Sequence, residues 1–292
     1  MSLSRHLQQS IFSQPPTGDP RELKERIFAA GREWYEQHPD EFEVLRGNLQ
    51  LFDLPADDQM VDSVRRHVLL HYYEKLIPLF CSPAVYAKYL SEHVIATEAI
   101  DALKRHQADG KAALLAISHF GAVELITPVL ALHGLTVTAA LRFTTAELSR
   151  SAWERAEQFH ASGHFGKISF IEVGKPGVAA ALEMAAVVRR AGILVSVFDE
   201  RTEYSVPVTL FGQRLWGGAG LDRLLAFSRS PSVLVGAFMV REGDEQYRLE
   251  LSEVPADEEN PVQGLYDRLQ TILERHPEQW YFLHEEIPLA DK

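Results

Sequence analysis

The sequence predicts an α/β fold, a largely parallel or mixed sheet flanked by helices, with a helical N-terminal part. Three observations predict it. Residues 19–108 carry apolar side chains at helical spacing and no strand signal. Beyond Gly110, short apolar or β-branched runs alternate with helical stretches, the rhythm of βα units. Near the end, two strand-like runs flank Gly243-Asp244, a hairpin turn signal. The expected organisation is a flexible leader over 1–18, a helical part over 19–108 and an α/β domain over 109–292.

The elements follow in order. Pro15, Pro16 and Gly18 mark the leader as loose. Asp19 is a good N-cap, and Pro20 suits the first helical position because its missing N–H would be unpaired there anyway. A helix is expected to residue 37, where His38-Pro39-Asp40 breaks it, and a short one over 41–51. A longer helix over 58–80 is predicted by Val61, Val64, Val68, Leu69, Tyr72, Tyr73, Leu76 and Leu79. Ser82-Pro83 restarts the chain into another helix through residue 90.

Residues 112–118 form a continuous apolar run, the mark of a strand buried on both faces. A helix over 121–133 stops at Gly134. Strands are expected over 136–141, 168–173 and 193–198, with helices over 149–162 and 176–190 between them. Residues 233–240 and 246–252 read as the hairpin. Asn260-Pro261 opens a last helix to residue 275, and 280–284 reads as extended.

Composition narrows the function. With 46% hydrophobic and 24% charged residues, the chain is a soluble globular type rather than fibrous or disordered. One cysteine, Cys81, excludes an internal disulfide. A net charge of −12 argues against nucleic-acid binding, which needs a basic footprint. Residues 1–110 carry 12 Lys/Arg against 17 Asp/Glu, residues 111–229 carry 12 against 10, and residues 230–292 carry 5 against 14. An anionic ligand meets least repulsion in the middle third. The first 20 residues lack the apolar core of a signal peptide. The most apolar stretch, 112–143, is interrupted by His119, Glu124, Pro128, His133 and Gly134. A transmembrane helix is therefore not expected, and a cytoplasmic protein, soluble or peripheral at the inner membrane, is.

The candidate chemistry gathers where strands end. His119 follows directly on the first strand of the α/β part, and ligands in such sheets bind at the carboxyl ends of strands. Glu124 is five residues on. In one ideal helix the two side chains would diverge by about 140°. With His119 in a loop and Glu124 in the first helical turn they converge, and the carboxylate can fix the tautomer of a general base. On spacing alone the more ordinary reading is a buried histidine making one backbone bond and a solvated glutamate. Asp199-Glu200-Arg201 ends another strand, with Arg142 on the same edge and Arg155 on the following helix. Arginine there suits a phosphate or an oxyanion, and an ordinary salt-bridge network is the alternative. Gly217 and Gly218, in the segment VPVTLFGQRLWGGAG over 206–220, let backbone approach a ligand. A dinucleotide fingerprint, a Walker loop, a G-x-S-x-G elbow and zinc spacing are all lacking. No metal is expected, since His119, Asp199 and His284 would have to meet in space to bind one.

His119-Phe120-Gly121-Ala122-Val123-Glu124 resembles the H-x4-D/E motif of lipid acyltransferases. In its HFGxxE form it is similar to the branch holding the lipid A lauroyl and myristoyl transferases and the mycobacterial phosphatidylinositol mannoside acyltransferase. Three further blocks match in order. They are Asp199, then Val206-Pro207 with Leu210-Phe211-Gly212, then His276-Pro277-Glu278-Gln279-Trp280 with Leu283-His284. The resemblance covers about residues 95–285.

It implies an acyltransferase with a thioester donor on acyl carrier protein or coenzyme A, and no resident cofactor. His119 would be the general base and Glu124 would orient it. Arg142, Arg155, Asp199, Arg201, Gly217 and Gly218 are the candidates for oxyanion or substrate binding. Three features depart from the branch: no N-terminal anchor, Glu285-Glu286 after His284, and Leu215-Trp216-Gly217-Gly218 after the V-P block. They point from a lipid acceptor toward a soluble natural-product acceptor, with peripheral membrane contact as the other expectation. A thioesterase-like hydrolase and a non-catalytic acyl or carrier-protein binding module are the alternatives.

Overall fold

The computed structural model describes residues 2–15, 17–143, 145–174, 179–228 and 230–290. The first helix already departs from expectation. Residues Leu3–Phe12 form α1 rather than a loose leader, capped by Ser2, with Leu3, Leu7 and Ile11 buried one turn apart. Its stripe packs on α2 (Pro20–Gln37), which starts at the expected Asp19 cap. Next come α3 (Asp40–Leu51) and α4 (Asp58–Phe80). The second half of α4 is buried nearly all round, including His71 and Glu74, so this helix lies inside the molecule. Helix α5 (Pro83–His93), strand β1 (Val94–Ile95) and α6 (Thr97–Ala108) complete the N-terminal part.

The remainder alternates as predicted. Strand β2 (Ala112–Gly121) is followed by a 3-10 turn at Val123–Leu125 and by α7 (Ile126–Leu132). Then follow β3 (Val137–Leu141), α8 (Ala146–Ala161), β4 (Ile168–Glu172), α9 (Ala179–Arg189) and β5 (Ile193–Val197). The expected start of α9 at Pro176 lies outside the described residues. A two-stranded antiparallel ribbon, β6 (Ser205–Leu210) and β7 (Gln213–Gly218), precedes α10 (Gly220–Ser228). The hairpin β8 (Ser232–Gly243) and β9 (Gln246–Val254) forms as expected, followed by α11 (Pro261–Leu273). Residues Tyr281–His284 make a 3-10 turn rather than an extended piece.

The main sheet has the order β1-β9-β8-β2-β5-β3-β4. All neighbours are parallel except β8 and β9. The continuous apolar run of β2 places it centrally, between β8 and β5. One apolar core runs from Leu3 to Ile287, so the helical part and the sheet share it. Among the described residues no helix is long and apolar enough to cross a membrane.

A buried ion pair joins these layers. Arg241 of β8 donates from Nε and Nη2 to the two carboxylate oxygens of Glu74 on α4, both at 2.7 Å. Both side chains are almost fully removed from solvent. Nη2 also donates to the Gly121 carbonyl at 2.8 Å, and Nη1 lies 3.2 Å from His67 Nδ1. Burial first, and the Arg241 charge second, push His67 down to about 2, so its Nδ1 can accept. The guanidinium thus meets four protein acceptor atoms in a buried site.

Two expectations follow. Glu74→Ala leaves a buried, uncompensated guanidinium and should cost about 3–5 kcal/mol in urea unfolding. Gly121 has φ +58°, and an added Cβ would stand 2.0 Å from the Met239 carbonyl oxygen. Gly121→Ala should therefore cost more than the about 1–2 kcal/mol of the left-handed conformation alone, read as a lowered thermal midpoint.

Candidate active site

The last residue pair in the register of β2 and β5 is Ile117 with Val197. Two residues on in each strand stand His119 and Asp199, so parallel pairing alone brings them opposite each other at the carboxyl edge. His119 is the least buried residue of its strand. Asp199 is 1% exposed. Its Oδ1 lies 2.9 Å from His119 Nδ1, and its Oδ2 accepts the His119 backbone N–H at 2.8 Å and Trp280 Nε1–H at 3.3 Å. An ionised carboxylate only accepts, so Nδ1 carries a proton toward Asp199 and Nε2 faces outward. The half-exposed Glu200 places Oε1 3.4 Å from Nε2.

Burial by itself would lower the His119 pKa. The charge and hydrogen bond of Asp199, then the charges of Glu200 and Glu124, outweigh it and lift the value to about 9. The rings of Phe282 and Tyr281 flank the imidazole, with centroids at 5.0 and 6.4 Å.

Glu124 does not hold His119 in the expected way. Strand β2 continues through His119 to Gly121, and the backbone turns there through a positive φ. Ala122 N–H then closes on the Met239 carbonyl at 2.8 Å. His119 therefore lies within the strand, near its end, while Glu124 sits in the 3-10 turn beyond. There the Glu124 carboxylate lies 3.8 Å from Lys75 Nζ and 4.0 Å from His71 Nε2, both on α4. Burial pushes His71 well below its ordinary value, so it is neutral. The imidazole is instead oriented by Asp199, which the sequence placed on the right edge but not in this role.

The other candidates separate. Arg142 follows β3 on the same edge, two strands from His119, and its aliphatic stem packs along Gly174. Arg155 lies half-buried on α8 near the Phe159 ring. Among the described residues no hydrogen bond or ion pair joins either arginine to His119 or Glu124. Arg201 is exposed and lies over the Trp216 ring at 5.6 Å.

Gly217 and Gly218 serve packing. A Cβ at Gly217 would stand 2.8 Å from the Tyr266 ring, and Gly218 donates to the Phe198 carbonyl at 2.8 Å. The ribbon so clamps the chain entering Asp199 and Glu200. Gln263 of α11 braces the ribbon in turn, exchanging hydrogen bonds with the backbone of Thr209 at 2.8 and 2.9 Å. His284 is buried, with Nδ1 unpartnered and its pKa lowered to about 4 by burial. Among the described residues no three His, Cys, Asp or Glu side chains are placed to hold a metal ion, and His119, Asp199 and His284 form no such set.

Sequence reasoning missed three contributors. Lys75 and His71 reach the site from α4, and no local pattern in a helix announces a partner fifty residues away. The Trp280 indole was legible only as one letter of a C-terminal block. It enters because Phe120 and Trp280 form an isolated antiparallel bridge.

The geometry can be set beside known proteins. No curated protein matches the chain. The family model for bacterial lipid A biosynthesis acyltransferases matches residues 20–287, which takes in α2 through the C-terminal turns and every residue of the site. The chain belongs to the bacterial lipid A biosynthesis acyltransferase family.

Proposed function

We propose that the protein transfers an acyl group from a thioester, on acyl carrier protein or coenzyme A, to a hydroxyl or amine. His119 is the general base and Asp199 its orienting partner. The observation that supports this most directly is the buried Asp199 carboxylate, which accepts both the Nδ1–H and the backbone N–H of His119. A carboxylate so placed fixes the tautomer, aims Nε2 outward and stabilises the imidazolium that forms.

The chemistry balances without a resident cofactor. Nε2 takes the acceptor's proton as its oxygen or nitrogen attacks the thioester carbonyl carbon. The tetrahedral intermediate collapses, the C–S bond breaks, and the imidazolium returns the proton to the departing thiolate. Glu124, beside Lys75 and His71, contributes negative charge near the imidazole rather than a direct hydrogen bond.

A panel of acyl carrier protein and coenzyme A thioesters, offered with lysate lipids and small molecules, tests the reading by intact mass. Acyl mass should move to an acceptor with wild type and not with His119→Ala. Release of free acid alone would assign a hydrolase instead.

Substitution and pH give sharper expectations. His119→Ala should lower kcat/KM by about 10²–10⁴-fold with the fold retained. Asp199→Asn should lose a comparable factor, because an amide cannot stabilise the imidazolium.

The base must be neutral to work, so kcat/KM should rise with pH and level off near about 9. Stability runs the other way. Folding raises the His119 pKa from 6.5 to about 9, so its contribution is whole below 6.5 and is lost as the pH rises through 9. The unfolding free energies of wild type and His119→Ala, measured across that range, should converge as the pH rises.

A further inference from the structure

We propose that Glu200 occupies, in the free enzyme, the place beside His119 Nε2 that the acceptor's nucleophilic group takes during transfer, and that the acceptor binds by displacing it. The proposal rests on the acyltransfer reading above and names what that site admits.

The geometry carries it. Nδ1 is committed to Asp199 at 2.9 Å, and the rings of Tyr281 and Phe282 lie near the imidazole. The productive nitrogen is Nε2, and its near neighbour is Glu200 Oε1 at 3.4 Å. A nucleophile must come within about 2.6–3.2 Å of that nitrogen to surrender its proton. The two cannot share the position.

The chain around Glu200 is built for a side chain that moves on a backbone that does not. Phe198 donates to the Ile117 carbonyl at 3.0 Å and accepts from Gly218 at 2.8 Å. A Cβ at Gly218 would stand 3.2 Å from the Glu200 carbonyl oxygen, so the ribbon closes on this segment. The Glu200 side chain is 52% exposed, so swinging away returns its carboxylate to water. Asp199, with no exposed side-chain surface, has no such exit.

Charge around the imidazole narrows the acceptor. Asp199 and Glu200 face it from the end of β5, and Glu124 from the 3-10 turn. His71 and Lys75 stand behind Glu124 on α4, and Tyr281 and the neutral His284 lie on the C-terminal turn. Three carboxylates against one exposed lysine favour a reacting end that is a neutral hydroxyl or an amine. They disfavour one bearing a phosphate or carboxylate beside the nucleophile. While Glu200 is in place, both imidazole nitrogens face carboxylates and the protonated, non-basic form is held. Displacement removes that bias as the substrate arrives.

The test compares wild type with Glu200→Gln in the free full-length protein and in turnover. Side-chain NMR of His119 reads the contact without any activity. Its titration midpoint should fall by about one unit in Glu200→Gln, and an unmoved midpoint overturns the proposal whatever the enzyme does.

Turnover uses dodecanoyl-coenzyme A with hydroxylamine as the probe acceptor. Glu200→Gln should lower the hydroxylamine KM several-fold and move the acid limb of kcat/KM to lower pH. An unchanged KM and limb, or a hundredfold loss at every pH, overturns the displacement. If neither protein makes hydroxamate while the midpoint still falls, the acyltransfer reading with this donor fails. The displacement falls with it, and the Glu200 contact alone stands.

Discussion

The frame of the site hangs from one buried guanidinium, that of Arg241. Arg241 is buried, its guanidinium meets four acceptor atoms on α4 and at the end of β2, and its backbone ties in a third part of the chain. Glu74 brings α4, the Gly121 carbonyl brings the end of β2, and Gln279 closes the C-terminal turn on the Arg241 backbone with hydrogen bonds at 2.9 Å in each direction. Leaving a buried charge unpaired costs far more than the pair itself contributes, so the three parts are held together or not at all. The helical layer is therefore part of the site's frame, not an appendage to the sheet.

The geometry of the His119–Asp199 pair is a consequence of that frame. Gly121 sits two residues after His119, and Gln279 one residue before Trp280. Fixing the first sets where β2 ends and how the chain leaves it. Fixing the second brings the Trp280 indole to the back of Asp199, where it donates to the oxygen that also accepts the His119 backbone N–H. The carboxylate is then satisfied from three directions, and its remaining role is to hold the imidazole. Desolvation, which would otherwise keep His119 neutral, is overcome by the charge it was buried beside.

Much of this was legible in the sequence. The βα rhythm, the central position of the 112–118 run, the hairpin at Gly243-Asp244 and the Asp19-Pro20 helix start all appear where local chemistry puts them. His119 and Asp199 were both placed at strand ends on one edge, which parallel pairing requires. What the sequence left ambiguous was the partner of His119. The resemblance to the H-x4-D/E motif pointed to Glu124, five residues on, and the convergence of the two side chains assumes that the strand stops before the histidine. It stops after it, at a glycine with positive φ where the carbonyl of a strand more than a hundred residues later leaves no room for a Cβ. Gly217 and Gly218 are hard to read in sequence for a related reason. Room for a ligand and room for Tyr266 and Phe198 look alike in one dimension.

Asp199 is hydrogen-bonded to the His119 imidazole, and Glu124 faces Lys75 and His71. The most direct measurement is the titration of His119 by side-chain NMR in Asp199→Asn and Glu124→Gln, each beside wild type. A large downward shift of the midpoint is expected in Asp199→Asn and a much smaller one in Glu124→Gln, since Asp199 is the carboxylate hydrogen-bonded to Nδ1. The reverse order, with Glu124→Gln giving the larger shift, would contradict it and return the orienting role to Glu124.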